Sequence, residues 1–199
     1  PVTDLVLTDI PDEFEGFAPS RIVYRYPYFY LADPQNFVVV MTDLTGRYQK
    51  GFTVTPLILP YVEEGKDMED LGASMFGFDV DSEGNMLFTV PVMFSVFRLT
   101  PDGQLEAFGR PGSGPGKFGV VAGVTTDEHG FIYVSDRLRC VVMIFDPSFT
   151  FVTEFGHRGY GPGNLIVPDD LALDREGNVY VAQAGAGRGI SVFKVFSEN

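Results

Sequence analysis

The stretch FGRPGSGPGKFGVVAGVTTD, residues 108–127, admits two readings. Its glycines run in the rhythm of a phosphate-binding loop. Such a loop has to follow a strand and open a helix. No helix-period run follows Gly112-Ser113-Gly114, and Pro115 stiffens the path. A second copy decides the matter. FGHRGYGPGNLIVPDDLALD, residues 155–174, repeats F-G-x-x-G-x-G-P-G and the terminal Asp at an offset of 47 residues. A period of this size marks a propeller or a solenoid. The glycines are therefore connectors between repeats.

Each copy leads into a common phrase, DEHGFIYVSD from Asp127 and DREGNVYVAQ from Asp174. An earlier copy, DSEGNMLFTV, starts at Asp81, and a weaker one, YRYPYFYLAD, at Tyr24, where Pro27 replaces the turn glycine. D-x-x-G is a tight turn whose glycine is free to take positive φ. An apolar run follows, then a polar loop, then further runs such as FVVVMTD and VVMIFDP. These runs predict four short antiparallel strands per repeat, and no segment has a helical period. Four-stranded units at this spacing are propeller blades. The repeats cover about residues 18–54, 74–109, 120–156 and 167–196, with a lone strand at about 3–9 and an insertion at about 55–73. The last repeat lacks an outer strand, and the N-terminal segment is a candidate to supply it, which would cover an exposed edge.

Composition narrows the function. Lys and Arg number 14 against 27 Asp and Glu, a net charge of −13. Such a surface repels nucleic acid, whose binding needs neutralising cations, and suits a basic partner or a cation. One cysteine, Cys140, excludes an internal disulfide, a CxxC zinc site and covalent haem attachment. No run of 18 apolar residues is present, so no membrane span is expected. The chain begins at Pro1 without a signal-like segment, which implies processing or further residues upstream.

Several clusters are candidate sites. Arg137, Arg139 and Arg188 occupy equivalent loops after the second strands, where they would form a local basic patch at one end of the channel, or simply belong to flexible loops. The acidic insertion carries Glu63, Glu64 and Asp67, a solvated run or a dock for a basic partner. Beside it Leu57 and Ile58, with Leu59, would make an apolar contact patch if exposed. Asp81, Asp127 and Asp174 recur at turn starts and read as structural acceptors of backbone N–H groups. Asp33 and Asp136 end equivalent second strands and read as loop anchors. Tyr24, Tyr26, Tyr28 and Tyr30 alternate in YRYPYFY, which would put them on one face and Phe29 on the other. Only His129 and His157 are present, too few for a catalytic zinc with three protein ligands. No G-x-S-x-G elbow marks a serine hydrolase. The carboxylates would suit calcium, but none stand out as a set, and no catalytic residue is assigned.

The phrase F-G-x-x-G-x-G-P-G, a short strand, D-x-x-G-x-(I/V)-Y-V-(A/S)-D and then V-x-(I/V)-F-D resembles the NHL repeat of β-propeller proteins. The resemblance is closest in the last two repeats. Where the family usually has Asn-Arg before the third strand, this chain has Arg139-Cys140 and Gly187-Arg188. Family members are usually six-bladed, so the resemblance implies the C-terminal two-thirds of such a ring, or else a closed four-bladed one. The ring would be completed by missing residues or by another chain. The resemblance also implies a non-enzymatic protein-binding scaffold, exported to an extracytoplasmic compartment, with a multihaem c-type cytochrome as partner and no cofactor of its own. The rival expectations are a calcium-assisted hydrolase or lyase with its site at the channel mouth, and an RNA-binding propeller, against which the acidic charge speaks.

Overall fold

The computed structural model describes residues 4–184 and 189–195. The fold is all-β, four antiparallel sheets arranged as the blades of a β-propeller. Blade 1 is β1 (Arg21–Arg25), β2 (Tyr28–Asp33), β3 (Val38–Thr42) and β4 (Tyr48–Thr53). Blade 2 is β5 (Phe78–Val80), β6 (Met86–Val90), β7 (Ser95–Leu99) and β8 (Leu105–Phe108). Blade 3 is β9 (Val121–Thr126), β10 (Ile132–Asp136), β11 (Val141–Phe145) and β12 (Phe151–Phe155). Blade 4 shows three strands among the described residues, β13 (Pro168–Leu173), β14 (Asn178–Gln183) and β15 (Ile190–Lys194). Every sheet is an up-and-down meander. The first strand of each blade is the inner one: β1 adjoins β5, β5 and β6 adjoin β9, and β9 and β10 adjoin β13.

The D-x-x-G turns form as their sequence dictates. Asp127 Oδ1 accepts the N–H groups of His129 and Phe131 at 2.9 Å each, and Gly130 takes φ 80°. Asp81 and Asp174 do the same for residues two and four positions on. In blade 1 the turn instead holds a cis Tyr26–Pro27 peptide, and the hairpin changes the expected facing of the tyrosines. Tyr24 pairs with Phe29 across the turn, their rings 5.3 Å apart, while Tyr30 lies on the opposite face in the core.

Three clusters of apolar side chains fill the blade junctions. At each one the connector entering the later blade adds a plug. Phe118 and Leu165, both fully buried, come from the two glycine connectors. The plug between blades 1 and 2 is the insertion. Contrary to the expectation of no helix, Thr55–Ile58 forms a single turn, α1, with Pro56 in its first turn. Ile58 is fully buried, so it belongs to the core and not to a contact patch; Leu57 packs beside it. Tyr61 then lies edge-on to Phe97 at 5.5 Å and donates its hydroxyl to the Leu105 carbonyl.

The N-terminal segment behaves as a fourth such connector. Thr8 makes a parallel bridge to Arg47, and Phe14, 5% exposed, lies on Gly51, where a Cβ would come within 2.2 Å of its ring. Among the described residues the segment docks on blade 1, and none of residues 4–9 pairs with a strand of blade 4. Between residues 4 and 9 only Thr8 has bridge pairing.

Close approach of the inner strands requires glycine at two places. A Cβ on Gly77 would stand 2.5 Å from the Ala122 carbonyl oxygen, and one on Gly123 would stand 2.8 Å from Asp170 Cα. A hydroxyl on the second strand clamps each of these junctions. Thr89 Oγ1 accepts the Gly77 N–H at 2.8 Å and donates to the Ala122 carbonyl at 2.5 Å. Ser135 Oγ accepts the Gly123 N–H at 2.8 Å and donates to the Asp169 carbonyl at 3.2 Å.

Candidate functional site at the channel mouth

The ends of the second strands and the starts of the inner strands share one face of the propeller. Side-chain acceptors tie them together. Asp136 accepts the N–H groups of Gly119 and Val120 and, beyond β10, those of Leu138 and Arg139. Asp33 does the same for Ala18, Gln35 and Asn36. Burial works against the Asp33 carboxylate, but these N–H bonds and the Asn36 amide outweigh it and hold its pKa below the ordinary aspartate value. In blade 4 Gln183 takes the role, accepting the Ile166 N–H at 2.7 Å. These bonds fix the loops at the mouth.

A chain of side chains crosses the mouth through all four blades. Arg21 lies over the Phe76 ring at 5.8 Å and donates to the Phe76 carbonyl at 3.2 Å. Arg137 stacks on the same ring at 4.2 Å. It also forms an ion pair with Asp169, with Nε 2.6 Å from the carboxylate. Guanidinium groups on a ring face gain from its quadrupole. Deeper in the channel, Arg25 meets Asp79 at 3.1 Å, and Asp79 accepts the Thr125 hydroxyl at 2.8 Å. Burial pushes the Asp79 carboxyl up, only partly offset by Arg25 and the Thr125 bond.

Among the described residues, Arg137 and Arg139 are engaged within the chain instead of standing together as an open basic patch. Arg137 is spent on Asp169 and Phe76. Arg139, with 11% of its side chain exposed, turns away to Glu154 at 2.7 Å and to the Lys117 carbonyl. Arg188 lies outside the described residues. Of the acidic insertion, Glu63 pairs with Lys66 at 2.5 Å, which holds its carboxyl below the ordinary glutamate value. Glu64 is exposed, and Asp67 accepts the Asp70 N–H. Among the described residues, Arg137 and Arg139 therefore do not meet Glu63, Glu64 or Asp67 in one site.

The mouth also leaves apolar side chains exposed among polar ones. Leu138, 57% exposed, stands between the two engaged arginines, and Val92 is 44% exposed in the equivalent loop of blade 2. Two grooves flank Phe94, which holds a left-handed conformation with φ 52°. One, about 670 Å³, is lined by Phe94, Ser113, Phe118, Leu138 and Arg139. The other, about 450 Å³, runs beneath the insertion past Tyr61, Lys66 and Val92. Sequence reasoning missed Phe94, Leu138 and Phe76. The signal available for Leu138 was an apolar residue between two arginines in a loop after a second strand.

Among the described residues no three His, Cys, Asp or Glu side chains come together as a metal-ligand group. His129 sits on the turn between β9 and β10, 3.8 Å from Glu128, and Cys140 is buried. Among the described residues no helix is long and apolar enough to cross a membrane.

No family model and no curated protein matches the sequence. Solved structures do match. A catalytically inactive virginiamycin B lyase from Staphylococcus aureus aligns over 89% of this chain and 56% of its own, at 13% identity and TM-score 0.56. A putative 6-phosphogluconolactonase from Bacteroides uniformis covers 91% of this chain and 54% of its own, at 16% identity and TM-score 0.60. Kuenenia stuttgartiensis hydrazine synthase covers 94% and 46%, at 14% identity and TM-score 0.58. The likeness is one of fold. The chain spans about half the length of these three structures.

Proposed function

We propose that the chain is a non-enzymatic protein-binding or scaffold propeller that holds a protein partner on its mouth face. The observation that carries this reading is the division of labour there. Arg137 and Arg139 are engaged by bonds within the chain, while Leu138, Val92 and the two grooves beside Phe94 are left as contact surface. Apolar side chains rimmed by polar ones are the usual composition of a protein interface. The NHL resemblance adds the class of partner, a multihaem c-type cytochrome, and an extracytoplasmic location. A net charge of −13 favours a partner with a basic surface.

Lysine cross-linking of the protein with a basic multihaem cytochrome tests this. Lys66 lines one mouth groove and the Lys117 side chain lies against Gly112 of the other, while Lys50 lies on the outer strand of blade 1. The reading predicts cross-links through Lys117 and Lys66 that vanish in a Leu138→Asp, Val92→Asp variant. Cross-links through Lys50 alone would refute it.

A second reading, a calcium-assisted hydrolase or lyase at the same mouth, is supported by fold neighbours that include a lyase and a putative lactonase. It requires ligands beyond those the described residues bring together. Calcium titration by calorimetry separates the two. One tightly held ion per chain, with turnover of a lactone, would replace the scaffold reading.

A further inference from the structure

Among the described residues both halves of a blade junction stand open on this one chain, and each repeats a half that is buried elsewhere. Blade 3 turns Tyr133, Ser135, Val142 and Ile144 toward blade 4, and all four are buried there. In register these are two cross-strand pairs, Tyr133 with Ile144 and Ser135 with Val142. Blade 4 carries the same pairs, Tyr180 with Val192 and Ala182 with Ile190. Here Ile190 is 67% exposed and Val192 57%. Alanine in place of the hydroxyl does not prevent docking: blade 1 has Tyr30 and Ala32 at these positions, and blade 2 buries both.

The receiving half is open on blade 1. In blade 4 that half is Leu171 and Leu173, paired with Val181 and Val179, and it packs on blade 3. Its counterpart in blade 1 is Ile22 and Tyr24, paired with Leu31 and Phe29. Ile22 is 58% exposed and Tyr24 46%. Farther from the axis, Phe14 plugs the outer strand of blade 1, as Phe118 and Leu165 do at the interior junctions. Blade 1 is thus prepared like any receiving blade, with only the inner half of its face uncovered.

We infer that two copies of this chain close head to tail, the open face of blade 4 in each copy docking on the open face of blade 1 in the other. Both junctions are then equivalent by a two-fold axis, so the assembly terminates instead of growing. The ring has eight blades, at the upper end of the usual four to eight. The pairing is independent of the mouth face and of its proposed partner.

Light scattering on the eluting protein tests it. The expected mass is about twice the chain's 21.9 kDa. Ile190→Glu with Val192→Glu, and separately Ile22→Glu with Tyr24→Glu, should each elute as a monomer with an unchanged far-ultraviolet circular dichroism spectrum. All four positions are solvent-exposed in the single chain, so the changes leave its core intact. An equimolar mixture of the two variants retains one intact junction and should recover a two-chain species. A monomeric wild type, an open series of larger oligomers, or a dimer that survives both variants would each overturn the inference.

Discussion

Blades 2 and 3 and blade 4 are written in the same repeat yet live in different surroundings. β6, β10 and β11 bury every residue, whereas β14 alternates between buried and half-buried positions and β15 between half-buried and exposed ones. The strand pattern is common to them, so the pattern does not set the burial. A neighbouring blade does, and blade 4 has one on a single side. An alternating strand is one whose second face is uncovered. The clamp follows the same division. Thr89 and Ser135 reach across to the next inner strand, and the matching position in blade 4 is Ala182.

The largest effect should come from Phe145, 2% exposed in blade 3, and Phe193, half-buried at the matching position of blade 4. Phe145→Ala should cost about 3–5 kcal/mol of unfolding free energy in denaturant titrations, the usual loss for a buried aromatic. Phe193→Ala should cost about half as much. Equal losses would mean that blade 4 is as enclosed in solution as blade 3.

Next is the inner-strand contact. Gly123→Ala pushes a methyl group toward the backbone of Asp169 and Asp170, a rigid obstacle, and should cost about 1–3 kcal/mol in the same titration. The clamp gives a similar or smaller effect. Ser135→Ala leaves the Gly123 N–H without its side-chain acceptor, for about 1–3 kcal/mol. The reverse change on the open face, Ala182→Ser, should stay within about 0.5 kcal/mol in the monomer, as surface changes do.

The smallest effect is on pH dependence, and it has opposite signs at two carboxylates. Asp174, on the turn of blade 4, is held at about 2 by the Asn178 side chain and N–H, with help from Tyr180. A lowered pKa gives stability that is present above the ordinary aspartate value and lost as pH falls through about 2. Asp79, between blades 1 and 3, is raised by burial. Its contribution is fully present below the ordinary aspartate value and is lost as pH rises through the raised one. Carboxyl carbon shifts followed by nuclear magnetic resonance should place the Asp79 midpoint above that of Asp174; the reverse order would remove the burial account of Asp79.

The repeat made the fold legible because each blade closes its hydrogen bonds within some 35 consecutive residues, where spacing is visible. The Asp of each D-x-x-G phrase was readable for the same reason, since its partners lie two and four residues on. The mouth was not readable. Arg137 finds Asp169 in the next blade and Phe76 in the one before, contacts set by how two finished sheets meet. TPLILP had the composition of an exposed patch or of a plug, and only the gap between blades 1 and 2 makes Ile58 a plug. In YRYPYFY the reversal at Tyr26–Pro27 broke an alternation that the letters alone suggested.

Thr8 commits the N-terminal segment to Arg47 on the outer strand of blade 1. Among the described residues no strand is therefore exchanged between the first and last blades. A ring fastened by an exchanged strand resists opening in shear, with a row of main-chain hydrogen bonds loaded together. Among the described residues, any closure between blades 1 and 4 rests on side-chain faces. Such a seam separates by peeling, one contact after another, and under load it would part before any blade unravels.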